Sequence, residues 1–256
     1  MPFTLAHPAV VLPLRRWLPL PALVAGSLAP DLPYYLRHAI PRFLHPELAH
    51  TPIGLVGIDL LMGFALLAAG RAMAAPVMAL APLGWRVRVP RPGRPAVGLW
   101  WLAPSVAGVL VGAVTHLLWD QITHADGAAV QAWAWLRTPV LGPNALFNVL
   151  SYLSAAVGIA VLLWWARRWY RGAPVEAVAW QAVPGGVRGA VAVCCVLAAA
   201  IGVGLTAAEL ASESDQTSYD VVRNVIIGAA QGTATALVAY AALWYARRSV
   251  SRAGPR

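Results

Sequence analysis

The sequence predicts an all-α, polytopic membrane bundle of about five transmembrane helices, preceded by an N-terminal re-entrant or interfacial helical hairpin. Three observations predict it. The 256 residues are 59% hydrophobic and 11% charged, with a mean hydropathy of +0.65, whereas a soluble domain carries roughly 25% charged residues. Five stretches reach the roughly 20 apolar residues that a bilayer crossing needs. The arginines gather in alternate links between those stretches.

The hairpin comes first. Pro8, Pro13, Pro19, Pro21 and Pro30 interrupt the opening segment, and Arg15-Arg16 splits it into two apolar runs too short to cross. Two short helices that turn at the arginines return Asp31 to the side of His7. A single broken span is the alternative, and it would part His7 from Asp31 by the membrane thickness. Leu32 to Ala49, with Tyr34, Tyr35, His38, His45 and Glu47, reads as a polar loop that folds over a site as a lid. His38 and His45 read as loop histidines rather than ligands.

The spans follow at Ile53–Ala75, Ala96–Trp119, Ala145–Ala166, Val187–Glu209 and Val221–Tyr245. Thr51-Pro52 suits an N-cap with proline in the first turn. Asp59, counted along a helix from His50, falls on the far face and is expected to pair with a polar group of the bundle. Gly108 and Gly112 lie in line with His116, and small residues at that spacing admit a close neighbouring helix. Trp133 and Trp135, in the loop from Asp120 to Asn144, read as headgroup-level anchors. In the fifth span Asn224, Gly228, Gln231, Gly232, Thr233 and Thr235 read as interhelical glue. The chain thus organises into residues 1–144, a candidate metal-site half, and 145–256, three further helices.

Charge sets the orientation. Net charge is +9 with no lysine, and the arginines crowd residues 71–94, 167–188 and 247–256. With five spans all three groups share one side, which the positive-inside rule makes cytoplasmic. The reading is therefore a bacterial inner-membrane protein with a cytoplasmic C-terminus. The basic balance belongs to topology and carries no expectation of nucleic-acid binding. The first 14 residues lack a basic region before their apolar run, so no cleaved signal peptide is predicted. Cys194-Cys195 reads as a packed pair rather than a disulfide framework.

Six residues stand out against this hydrocarbon: His7, Asp31, His50, His116, Asp120 and His124. Imidazole nitrogens and carboxylate oxygens are the ligand set of zinc-like ions. On one helix, His116, Asp120 and His124 drift by only about 40° per step, so all three can converge on one ion or ion pair. The predicted topology brings His50 to the same, extracytoplasmic, surface. Asp120 could bridge two ions through its two oxygens, and the six would suffice for two ions about 3.5–4 Å apart. The alternatives are a hydrogen-bonded His116–Asp120 pair, an interfacial His50 and an Asx-type turn at Asp31.

The opening MPFTLAHPAVVLPL, the Ala29-Pro30-Asp31 step, His50-Thr51 and His116-x-x-x-Asp120-x-x-Thr123-His124 resemble an uncharacterised family of bacterial multi-pass membrane proteins. That family is similar in turn to membrane-bound metal-dependent hydrolases. The order of the six residues also resembles zinc-dependent phospholipase C and the related fungal single-strand nucleases. The resemblance covers roughly residues 1–130. It implies that the six are ligands of a divalent metal, zinc by analogy, with Asp31 alternatively the catalytic base. The soluble enzymes carry a further His-x-x-x-Glu pair, and no histidine follows His124, so one or two ions fit better than three. The expected function is a membrane-embedded metal-dependent hydrolase acting on phosphate esters of lipids or lipid-linked substrates. The competing expectation is a transporter or assembly factor with a structural or transported metal.

Overall fold

Closely spaced prolines forbid a long helix in the first 30 residues, because each removes a donor and fixes φ. The computed structural model describes residues 4–36, 46–93, 99–211 and 218–252. A 3₁₀ turn at Thr4–Ala6 leads into helix α1 (Pro8–Val11), a 3₁₀ segment at Leu12–Arg16, and helix α2 (Leu20–Leu28). This is the hairpin and not a single span. Its tip is exposed, with the Arg16 guanidinium 3.7 Å over the Trp17 ring and Arg15 Nη1 donating to the Leu12 carbonyl at 3.1 Å.

The supposed lid is helical at both ends, in α3 (Leu32–Leu36) and α4 (Pro46–Ala49). His38 and His45 lie outside the described residues. Thr51 then caps α5 (Pro52–Gly54), its hydroxyl accepting from the Gly54 amide at 3.0 Å. A π-helical turn at Leu55–Asp59 joins α5 to α6 (Leu60–Leu80). After the short α7 (Leu83–Arg86) come α8 (Leu99–Thr123), α9 (Ala128–Ala132) and a two-stranded hairpin of β1 (Pro139–Leu141) and β2 (Asn144–Ala145). Helices α10 (Leu146–Gly172), α11 (Gly185–Leu210) and α12 (Ser218–Arg252) complete the chain. Five segments are long and apolar enough to cross a membrane: Pro52–Leu80, Trp100–Ala132, Leu146–Gly172, Gly185–Leu210 and Val221–Ser249.

The chain divides into two compact units. In Met1–Ala68 with Pro95–Arg168, α2 packs on α8 almost backbone to backbone. A Cβ on Gly26 would stand 2.0 Å from the Val109 carbonyl oxygen, and one on Gly112 would stand 2.3 Å from that of Leu23. The glycines of the second span thus receive the N-terminal hairpin. Beside this seam Ala29, Ala49, Ile58 and Met62 form a small apolar core, with Leu32 and Leu36 against it.

In the other unit, Ala69–Arg94 with Trp169–Arg256, the two internal arginine-rich links pair. The amides of Glu176 and Trp180 donate to the carbonyls of Val87 and Arg86, and Arg86 Nη1 donates to the Trp180 carbonyl at 2.9 Å. Links that meet must share a side, as five spans require. α11 and α12 close on each other at Gly202, Gly228 and Gly232, and Thr206 donates across to the Asn224 carbonyl at 3.0 Å. Thr235 instead donates within α12, to the Gln231 carbonyl at 2.8 Å, so part of the expected polar glue is local.

The α2–α8 seam generates a prediction. Gly112→Val should push α2 away at a cost of roughly 1–3 kcal/mol or more, lowering the unfolding temperature in detergent. Gly57→Ala, whose added Cβ meets nothing within 4 Å, should not.

Candidate metal centre

The site grows from the seam. By bringing α2 against α8, the glycines place the Ser27 carbonyl on His116 Nδ1, at 2.8 Å. A carbonyl only accepts, so Nδ1 carries a proton, and in the neutral ring Nε2 is the nitrogen left to ligate a metal. His50, held between α4 and the Thr51 cap, is oriented in the same way by the Pro46 carbonyl, 2.9 Å from its Nδ1. Fixing a histidine tautomer through the far nitrogen is the usual support of a metal-binding imidazole.

The two Nε2 atoms meet two carboxylate oxygens. His116 Nε2 lies 3.1 Å from Asp120 Oδ2 and 3.6 Å from Asp31 Oδ1; His50 Nε2 lies 3.5 and 3.7 Å from the same two atoms. All four ligand atoms fall within 4.8 Å of one another. Most of these separations are long for N–H···O bonds of 2.7–3.2 Å. They bracket the edge of about 3.3 Å expected when four donors surround one ion tetrahedrally at about 2.0–2.1 Å. His116 Nε2 and both Asp120 oxygens are buried and make no hydrogen bond, an arrangement costly unless something is held there. Two carboxylates supply the charge that one divalent cation neutralises. The cluster of Asp31, His50, His116 and Asp120 fits a metal ion.

The other two sequence candidates arrive on the far oxygen of Asp120. His124 Nδ1 lies 3.4 Å and His7 Nε2 3.8 Å from Asp120 Oδ1, and the His7 ring stacks on that of His116 at 4.0 Å. All six residues therefore converge, with Asp120 at the centre. His7, Asp31, His116 and Asp120 are almost wholly buried. Burial, with His116 adding to it, pushes the His7 imidazole down to about 3 against the pull of Asp120 and Asp31. Burial would raise Asp31, but His116 and the Thr4 hydroxyl hold its carboxyl well below the usual range. Burial likewise opposes charge on His50, but Asp120, the Pro46 carbonyl and Asp31 together raise its pKa.

Residues that the spacing does not announce complete the centre. Thr4 Oγ1 donates to Asp31 Oδ2 at 2.7 Å and sits 2.8 Å from the Tyr35 hydroxyl. Asp31 therefore makes a tertiary bond 27 residues back rather than an Asx turn. Asp59 departs from expectation. It is fully buried, and among the described residues neither carboxylate oxygen has a hydrogen-bond partner, so the polar partner expected in the bundle is not found.

A family described as a domain of unknown function, DUF4184, matches residues 1–242. The chain belongs to the DUF4184 family. The match takes in the whole cluster, four of the five apolar helices and most of the fifth, so in this DUF4184 chain the later spans are part of the same family unit as the histidines. No curated protein and no solved structure matches the chain.

Two measurements check the centre. Elemental analysis of detergent-purified protein offered zinc or manganese should find one or two ions per chain, and none in His116→Ala/Asp120→Ala; equal, near-zero content in both would remove the metal. Because ligands must shed protons to bind, calorimetry in buffers of different ionisation heat should show proton release on binding and weaker affinity as pH falls.

Proposed function

We propose that the protein is a membrane-embedded metal-dependent hydrolase acting on phosphate esters of lipids or lipid-linked substrates at the extracytoplasmic face. The observation that carries the reading is the tautomer-fixed pair His50 and His116 opposed to Asp31 and Asp120, with orphaned Asp120 oxygens buried among them. We assign the first ion, zinc by the analogy drawn from sequence, to those four residues. A second is assigned to Asp120 Oδ1 with His7 and His124. Bound there, divalent ions supply Lewis acidity and a lowered water pKa at neutral pH.

The remaining work falls to the chain. Asp120 and Asp31 supply compensating negative charge, while the Ser27 and Pro46 carbonyls hold the imidazoles in one tautomer. Asp31 is assigned as a ligand through Oδ1, which faces the ligand set, and the base role that the sequence offered as the alternative would fall to that same oxygen. The Thr4 hydroxyl, donating to Asp31 Oδ2 and touching Tyr35, holds the carboxylate in place. Orientation follows from charge. The paired arginine links belong on the cytoplasmic side by the positive-inside rule, and His116 and Asp120, with His124 just past the last turn, mark the end of α8 assigned to the other side.

Turnover tests the reading. In nanodiscs with zinc or manganese, long-chain phosphate mono- and diesters should be hydrolysed, and Asp31→Asn should cut the rate by ~10²–10⁴-fold with unchanged helical content. Loss of thermal stability on chelation, without turnover under any metal, would instead mark a structural ion.

A further inference from the structure

Next to the metal centre, α8, α10 and the N-terminal turn enclose a groove of about 420 Å³, within the roughly 300–1,000 Å³ of small-molecule sites. Its lining includes His7 and Thr123, and His7 is the residue that reaches Asp120 Oδ1. Along α10 the lining runs from Leu150 to Val161 and includes Leu153 and Val157, with Val10 also lining the groove and Ala6 packed against Gly158. That run is about 16 Å at ~1.5 Å per residue, close to half of the ~30 Å hydrocarbon thickness. Both helical walls belong to apolar spans. The groove is thus mostly apolar and about as long as one leaflet, with His7, Thr123, Ser151 and Ser154 as the polar residues of its lining.

Ser151 adds a chemical requirement. It is 4% exposed and lines the groove, and its hydroxyl has no hydrogen-bond partner. A serine within a helix ordinarily returns its hydroxyl to a carbonyl of the preceding turn, as Ser154 does to Ser151 at 2.9 Å. The Ser151 donor instead awaits an acceptor inside the groove. An apolar helix face would leave it unsatisfied. An amphiphile with an oxygen between its chain and its headgroup satisfies it.

We propose that this groove seats the hydrocarbon chain of a lipid phosphate ester drawn from the leaflet beside the site. Ser151 donates to the oxygen joining chain and phosphate, and the phosphate passes His7 to the Asp120 cluster. The assignment of the phosphate rests on the hydrolase reading; the chain site rests on the groove itself.

Photolabelling tests it on the full-length protein. The probe is a twelve-carbon alkyl phosphate with a diazirine at the chain end, followed by peptide mass spectrometry. Labels should concentrate on Val10, Leu153, Val157 and Val161, and be displaced by excess dodecyl phosphate but not by inorganic phosphate or dodecanol. Ala155→Trp, which fills the groove, should abolish them while retaining wild-type metal content. Ser151→Ala should weaken displacement by about 2- to 10-fold. Labels spread over every apolar helix, equal displacement by dodecanol, or cross-links between two copies through Val157 would each overturn the proposal, and none of these needs a variant that folds. The two readings fail separately. Metal bound with diffuse labelling removes only the groove, and focused labelling on a chain that binds no metal removes only the hydrolase.

Discussion

The centre depends on the backbone approach of α2 to α8. Glycine is the residue that permits it: at Gly26 and Gly112 any side chain would occupy the position of a main-chain oxygen. In a bilayer, where hydrocarbon drives no helix together, close packing of small residues is the force available. The seam does more than stabilise. It sets the Ser27 carbonyl on His116, delivers Asp31 to the same ligand set, and carries the N-terminal turn back so that His7 stacks on His116. A hairpin of two short helices contributes His7 and Asp31 to the site.

Asp120 is the second constraint. Its side chain is buried at the end of an apolar helix, with one oxygen toward His50 and His116 and the other toward His7 and His124. A carboxylate so placed is expensive without charge compensation. Its i−4 and i+4 histidines come from the helix itself, which is why local sequence declares them. The other partners arrive through tertiary structure, from the hairpin and from the turn before α5.

This division explains how much was legible. The five spans and the alternate arginine links come from composition and length, and the helix carrying His116, Asp120 and His124 from its spacing. The hairpin came from proline positions together with the shortness of each apolar run. The partner of Gly108 and Gly112 was not legible: spacing marks a glycine face but not the element that docks on it, and the partner proved to be α2. Thr4, Tyr35 and the unpartnered Ser151 hydroxyl carry no local pattern, since their roles arise from contacts across the fold. The π turn at Leu55–Asp59 was not legible either, because no residue type announces such a turn.

The central claim is that an N/O-liganded divalent ion is held by imidazoles and carboxylates on Asp120. X-ray absorption at the zinc edge tests it most directly. The account predicts only nitrogen and oxygen neighbours at about 2.0–2.1 Å, with the outer-shell scattering of imidazole rings. Sulfur neighbours at about 2.3 Å, which would point to Cys194 and Cys195 instead, or a spectrum without imidazole scattering, would contradict it.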